Sequence, residues 1–520
     1  MVGALPLGRS VASAGRHRRR PSTGSRDIRR RSCTRGRHND ARGTGPCTVI
    51  VVPDWLFRAA EIVTLFVIAC GLIQILFYIV QLLFAALALH RRPAHASTSA
   101  LWDLFGDIAP SIAIVAPAYN EEVTIIESVE ALLALHYPDF EVIVVNDGSK
   151  DATLQTLIDH YSMRPVARYH DRALAHQPIR GLYAAPDRPR LFLVDKQNGG
   201  KADAMNAGIN VARTPLVCVI DADTLLEPDA LMRAVRPFVD DPARTVAVGG
   251  TIRIANGCRV EGGRVVEARL PRNFFALMQV VEYLRAFLMA RLGLSEMQTL
   301  LIISGAFGLF RRNSVIDVGG FSADTVGEDM ELVVKLHRRM RDLKRPYRIV
   351  YIPEPVSWTE APETAAILGN QRARWQRGSL ETFRTHKDMF LNPRYGRIGL
   401  VGFGQVWIVD VIGPIVEVAG YLLVPPLWML GLISFDYLLA FLAVIFTFGV
   451  FISVATLILE EVQLRRLPRA RDLVILTAVA VLENFGYRQL NNFWRLRGWW
   501  QFLRKKQGWG DMVRKGFQRS

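Results

Sequence analysis

Residues 112–149 read IAIVAPAYNEEVTIIESVEALLALHYPDFEVIVVNDGS, and the fold is decided in this stretch. Ile112–Ala118 and Phe140–Val145 are short runs rich in β-branched and apolar residues, the pattern of strands covered on both faces. Between them, Glu121–Leu135 repeats apolar residues at three and four, which predicts a helix with one buried face. The alternation continues downstream. Leu191–Val194, Leu216–Ile220 and Val246–Ile254 predict strands, with helices over Ala152–Tyr161, Ala202–Ala212 and Asp229–Val239. Such alternation predicts an α/β domain, over about 108–360, with a mainly parallel sheet. Ligands of these sheets lie beyond the carboxyl ends of the strands, so the polar residues that close each run become the candidates for function.

On either side the sequence turns apolar. Half of the 520 residues are hydrophobic and only 22% are charged, and the mean hydropathy of +0.17 points to membrane segments. Residues 59–90 form one predicted span, ending in His90-Arg91-Arg92, which places that end in the cytoplasm. Phe274–Leu294 predicts a packed structural helix. Residues 361–395 predict amphipathic helices on the bilayer surface, and 400–433 and 437–460 predict two further spans. The α/β domain is thus expected to sit in the cytoplasm, inserted between transmembrane helices. Residues 472–494, which include Glu483 and Arg488, read as transmembrane or interfacial; interfacial is favoured, because a full crossing would expel the basic tail expected at 495–520.

The net charge of +16 resides in the two ends. Residues 1–50 hold twelve Arg against two Asp, and 495–520 hold eight Lys/Arg against one Asp, which leaves the centre near neutral. That distribution argues against a nucleic-acid groove and for anionic lipid. For residues 1–50 three readings stand: a disordered basic extension, a targeting segment, or a start codon read too early; the predicted topology favours the last. The five cysteines show neither zinc nor CxxC spacing, which fits a reduced, cytosolic setting.

Four polar elements sit where strands or turns end, and a fifth lies on a helix. Asn146-Asp147-Gly148-Ser149 closes one, and alone reads equally as a strand-to-helix turn. Asp221-Ala222-Asp223 closes another, with both carboxylates on one side of an extended chain, a pattern suited to Mg²⁺ or Mn²⁺ on a nucleotide diphosphate. In Lys196-Gln197-Asn198-Gly199-Gly200-Lys201 two glycines precede a helix that could cradle phosphate; Asp195 and Ala202 stand where a Walker loop needs Gly and Ser/Thr, so an ATPase loop is rejected. Gly327-Glu328-Asp329 offers a carboxylate able to take a hydroxyl proton. Gln371, Arg374 and Trp375 are neighbours on one helical face, where Arg can grip diphosphate and Trp can stack on a sugar.

In order and membrane context these elements, with Val115–Glu122 (VAPAYNEE), resemble the membrane-embedded processive family-2 glycosyltransferases, a group that includes cellulose, hyaluronan, chitin and poly-β-1,6-N-acetylglucosamine synthases. The resemblance covers about residues 110–380. It implies a GT-A fold and an inverting transfer from a nucleotide-sugar donor, expected to be a UDP-sugar, to a growing polysaccharide with coupled export. A non-processive enzyme that glycosylates a lipid is the alternative. Asp329 would be the catalytic base with Glu328 beside it, and Asp223 would hold Mg²⁺ or Mn²⁺. Asp147, Asp221, Tyr119, Glu121, Lys201 and Asp203 would contact the donor, and Gln371, Arg374 and Trp375 would line the acceptor and diphosphate end. Ser304-Gly305-Ala306 resembles the acceptor-side turn. Gly327 departs from the pattern, since many members carry Thr there. The implied partners are the donor, a polysaccharide or lipid acceptor and membrane lipid, with no nucleic acid, at a bacterial inner membrane.

Overall fold

A computed structural model describes residues 53–91, 98–221, 224–464 and 469–505. The expectations for residues 1–50 and for Asp223 lie outside these. A 38-residue helix, α1 (Asp54–Arg91), leads through α2 (Thr98–Phe105) into the α/β domain. Its strands are β1 (Ile112–Ala118), β2 (Phe140–Asn146), β3 (Arg164–Pro165), β4 (Ile179–Ala185), β5 (Arg188–Lys196), β6 (Leu216–Val219), β7 (Leu225–Leu226), β8 (Thr245–Ile254), the small hairpin β9 (Arg259–Glu261) and β10 (Arg264–Glu267), β11 (Gly308–Arg311) and β12 (Arg348–Thr359). The helices between them are α3 (Ile125–Leu133), α4 (Thr153–His160), α5 (Lys201–Val211), α6 (Ala230–Asp240), α7 (Phe274–Tyr283), α8 (Arg291–Glu296), α9 (Arg312–Asp317) and α10 (Glu328–Asp342).

All but the hairpin join one sheet in the order β3-β4-β5-β2-β1-β6-β11-β8-β12-β7. The sheet is mixed, not mainly parallel. β5, β2, β1 and β6 run parallel, as do β8 and β12, but β11 lies antiparallel between β6 and β8, and β4 and β7 are antiparallel at the flanks. The antiparallel strands escaped the sequence reading because they are short or carry little β-branched periodicity: Gly308–Arg311 has four residues, and Ile179–Ala185 is only half-buried. The central parallel strands read correctly because both faces are covered, with the side chains of β1 and β2 buried at nearly every position.

After the sheet come α11 (Ala365–Thr385) and two long apolar helical rods. The first, Ile398–Met429, is built from π-helical Ile398–Gly402, α12 (Phe403–Gln405), π-helical Val406–Ile412 and α13 (Gly413–Met429). The second is α14 (Phe435–Leu442), π-helical Ala443–Thr447 and α15 (Phe448–Leu464). With α1, these are the three helices among the described residues that are long and apolar enough to cross a membrane. The segment expected at 472–494 is not continuous: α16 (Ala470–Leu482) ends, and α17 (Tyr487–Leu503) begins after a turn in which Gly486 takes φ +98°. The two pieces have 13 and 17 residues, shorter than the roughly 20 that a span ordinarily takes. α17 also crosses the boundary expected at 494/495 and packs along α11, where a Cβ on Gly369 would lie 2.7 Å from Trp494 Nε1 and one on Gly498 would lie 2.5 Å from the Ala373 carbonyl.

The apolar helices and the α/β domain share a core. Ala85, Ala88 and Leu89 of α1 are buried in one cluster with Val115 of β1, Ile209 of α5 and Leu336 of α10. Ile452 of α15 joins the same cluster, and Arg253 at the end of β8 pairs with Glu460 of α15.

Candidate active site

The carboxyl ends of β1, β2, β5 and β6 lie on one edge, since Ala118 is level with Asn146, Asn146 with Asp195, and Val115 with Val219. Tyr119, Asp147, Lys196 and Asp221 therefore leave the sheet side by side. The turn after β1 is stitched to the turn after β2: the Asn120 amide donates to Ser149 Oγ at 3.0 Å, and Asn120 Oδ1 accepts from the Lys150 amide at 2.8 Å. Glu121 braces this turn, its amide donating to Thr153 Oγ1 at 2.8 Å and its carboxylate accepting from Thr124 at 2.9 Å. Tyr119, 43% exposed, projects from it.

Asp147 organises the next layer. One carboxylate oxygen accepts from Lys196 Nζ at 2.5 Å and the Gly199 amide at 3.0 Å; the other accepts from the Gly200 amide at 2.8 Å and Asn198 Nδ2 at 3.2 Å. Burial pushes its carboxyl up from the ordinary range, and Lys196 with the two glycine amides pulls in the other direction. Gly200 carries φ +89°, a conformation that glycine adopts without a Cβ clash. The fully buried ammonium of Lys196 also lies 2.5 Å from Asp203 Oδ1, and Asp203 accepts the Gln177 amide at 2.9 Å. Asp147 and Asp203 are thus joined through Lys196, a residue whose role is not legible in the sequence although it ends the apolar run LFLVDK.

That loop delivers Lys201, first residue of α5, to the acidic centre. Its ammonium pairs with Asp221 and sits 3.4 Å from Glu328 Oε1. Burial opposes the charge, but Asp221 and Glu328 overcome it and hold the group above the ordinary lysine range. Gly305, in the turn that leads into β11, closes over this pair: a Cβ there would meet Lys201 Nζ at 2.6 Å. The Gly305 amide donates to Asp329 Oδ2 at 3.3 Å, and Asp329 Oδ1 accepts the Met330 amide at 2.8 Å. Glu328 and Asp329 open α10, where the positive end of the helix dipole favours acids. Burial pushes Glu328 up to about 7; Lys201 opposes the shift, and Asp329 and Asp221 add to it. Asp221, Lys201, Glu328 and Asp329 therefore converge on one centre, with Asp147 and Asp203 one loop behind.

Gly327, the departure from the family pattern, abuts Gly378 of α11, to whose Cα a Cβ would approach within 2.9 Å. This close approach sets α11 beside the acidic centre. Trp375 is 41% exposed, with Arg372 stacked 4.3 Å over its ring. Gln371 accepts from Arg372 at 3.2 Å. Trp375 and Asp329 line a cavity of about 480 Å³ whose wall continues along α1 through Cys70 and Gln74, along the rod Ile398–Met429 through Asp410 and Glu417, and along the rod that begins at α14 through Val444 and Phe448. Gln371 and Arg374 are not in that wall, whereas their neighbours Arg372 and Gln376 are. The helix predicted only for packing, Phe274–Leu294, also contributes Glu282, Arg285 and Arg291 to the wall, the last two in and just after π-helical Leu284–Ala290.

Among the described residues no cluster of three or more metal-ligating side chains occurs. Asp221 supplies one carboxylate at the strand end, its side chain 31% exposed, and Asp223 lies outside the described residues. An oxygen-only donor set suits a hard cation such as Mg²⁺ or Mn²⁺.

The mixed sheet, with acidic residues gathered beyond its strand ends, is that of a glycosyltransferase of GT-A fold. The structure is similar to that of the mannosyltransferase PcManGT from Pyrobaculum calidifontis, solved with GDP-Man and Mn²⁺, with a TM-score of 0.50 and 18% identity over 87% of this chain and 100% of that one. Residues 109–378 match the glycosyltransferase-like family 2, and the chain belongs to that family. It is 30% identical over 299 residues to the poly-β-1,6-N-acetyl-D-glucosamine synthase of Staphylococcus aureus (strain COL), covering 57% of this chain and 61% of that protein. A similar 30% identity over 270 residues relates it to the synthase of Staphylococcus epidermidis (strain ATCC 35984), covering 55% of that protein. The match thus spans less than two thirds of these relatives' length.

Proposed function

We propose that this family-2 glycosyltransferase is a processive polysaccharide synthase of the bacterial cytoplasmic membrane, which draws on UDP-N-acetylglucosamine and passes its product between its own apolar helices. One observation carries the reading: the cavity that starts at Asp329 and Trp375 continues along all three apolar rods. Its wall also holds buried polar atoms without partners, on Gln81, Gln405, Asn491 and Asn492 among others. Such atoms are costly in a packed interior, about 1–3 kcal/mol each, but suit a path for a hydroxyl-rich chain. The donor assignment leans on the staphylococcal relatives.

In this reading Tyr119 and the Asp147-ordered loop hold the nucleoside, with Asp203 fixing the loop through Lys196. Lys201 faces the diphosphate and offsets the charge that builds as the bond from the anomeric carbon to phosphate breaks. Asp329 takes the proton of the acceptor hydroxyl while that oxygen forms its bond to the anomeric carbon from the opposite side, giving inversion. Trp375 supports the acceptor sugar at the mouth of the cavity. A divalent cation held by Asp223 and Asp221 would supply further positive charge at the diphosphate.

The test is to embed the full chain in lipid vesicles with labelled UDP-N-acetylglucosamine and Mg²⁺ or Mn²⁺. High-molecular-weight, β-1,6-hexosaminidase-sensitive product is expected. Products of one or two sugars that extract into organic solvent would instead establish a glycolipid-forming enzyme.

A further inference from the structure

The acceptor path proposed above has one wall that no family motif covers. α17 carries Arg488, Asn491, Asn492 and Arg495 at spacings of three and four, and all four line the cavity, while Leu490, Phe493 and Trp500 are exposed on its other side. The two arginines are spoken for. Arg488 Nε lies 3.0 Å from Glu417, and Arg495 donates to Asp410 Oδ1 at 2.8 Å, the Val409 carbonyl at 2.9 Å and Gln376 Oε1 at 2.7 Å. Arg495 therefore ties α17 both to the residue after Trp375 and to π-helical Val406–Ile412 of the rod Ile398–Met429.

The two asparagines between them differ. Asn492 is 4% exposed and its Nδ2 has no partner; Asn491 Oδ1 is also unpartnered, although its amide nitrogen donates to Glu282 at 3.5 Å. Gln81 of α1, in the same wall and fully buried, leaves both Oε1 and Nε2 unpartnered. Together they present donors and acceptors but no net charge, and the neighbouring carboxylates Asp410, Glu417 and Glu282 are each paired with arginine. A polyanionic chain would have to break such a pair, whereas an uncharged chain bearing hydroxyl and amide groups meets complementary partners.

Resting on the reading of the cavity as an acceptor path, we infer that Asn491 and Asn492, with Gln81, form a binding site for an uncharged, hydroxyl- and amide-bearing segment of the growing glycan, and that Arg495 is a positioning residue for it. The experiment uses the full chain in vesicles with labelled UDP-N-acetylglucosamine and Mg²⁺. Asn492→Leu and Asn491→Ala should shorten the mean product roughly threefold or more and raise the KM for an added N-acetylglucosamine oligomer about fivefold, against less than about twofold for the donor KM. Arg495→Leu should shorten chains likewise and Arg495→Lys restore part of their length. Leu490→Ala on the exposed face should match the parent. Unchanged length and acceptor KM in both asparagine variants would overturn the inference while leaving polymer synthesis by the parent intact; no polymer from the parent would remove the premise itself. Should Asn492→Leu fail to fold, Asn492→Cys with Cys70→Ser gives a second reading: donor addition should slow thiol labelling at position 492, and an unaltered rate during polymerisation would overturn the site.

Discussion

Asp329 and Glu328 are adjacent in sequence yet differ in environment. Asp329 lines the cavity and takes two backbone amides, whereas Glu328 is buried against Lys201. In the proposed reaction Asp329→Asn should lower transfer by about 10²–10⁴-fold, read as nucleotide release from the donor, because the acceptor hydroxyl would then keep its proton. Glu328 carries the pH signature. Its carboxyl is pushed from the ordinary 4.5 up to about 7, so the unfolded chain ionises first as pH rises. Its contribution to stability is most favourable below 4.5, declines through that window and is a full penalty, about 3 kcal/mol, above 7. Glu328→Gln should therefore melt higher than the parent at pH 8 and alike at pH 4, while donor turnover falls. Lys196 offers a contrast. Replacing it by Met strands Asp147 and Asp203 without their shared cation and should cost about 3–5 kcal/mol in denaturant melts.

At the level of elements, the close approach of Gly327 to Gly378 sets where α10 meets α11. Gly327→Thr should here push backbone against backbone and destabilise by about 1–3 kcal/mol. The expected observation is a lower melting temperature, together with shorter product because Trp375 shifts with α11. The same elements show what the sequence could and could not disclose. The parallel strands and their closing acids were legible because burial on both faces leaves unbroken apolar runs, and a polar residue after such a run marks a strand end. β11 and β12 were not, since their pairing is set by distant partners: β12 follows Pro346 and contains Pro353 and Pro355, which interrupt the pattern. Lys196 opens the run Lys196–Lys201, but its role is not legible there, since only the fold shows two carboxylates closing on it. The polar face of α17 was written at three-and-four spacing, but an arginine- and tryptophan-rich tail suggests lipid headgroups before it suggests a cavity wall.

Considered whole, the molecule has no clean seam between catalytic sheet and apolar helices. The carboxyl end of α1 is part of the sheet's own core through Ala85, Ala88 and Leu89. Deleting residues 54–91 should therefore leave an uncovered apolar patch and yield aggregated rather than monomeric protein on gel filtration, even in detergent sufficient for the remaining helices. The shared core also bears on synthesis. α1 precedes the strands in the chain and shares their core, so in the membrane setting proposed above its insertion into lipid would constrain the strands that condense against it. Misplacing that helix by a turn would misplace Val115, and with it the edge from which Tyr119 and Asp147 emerge. In the membrane setting proposed above, depth in the bilayer and geometry at the reacting sugar would be a single variable.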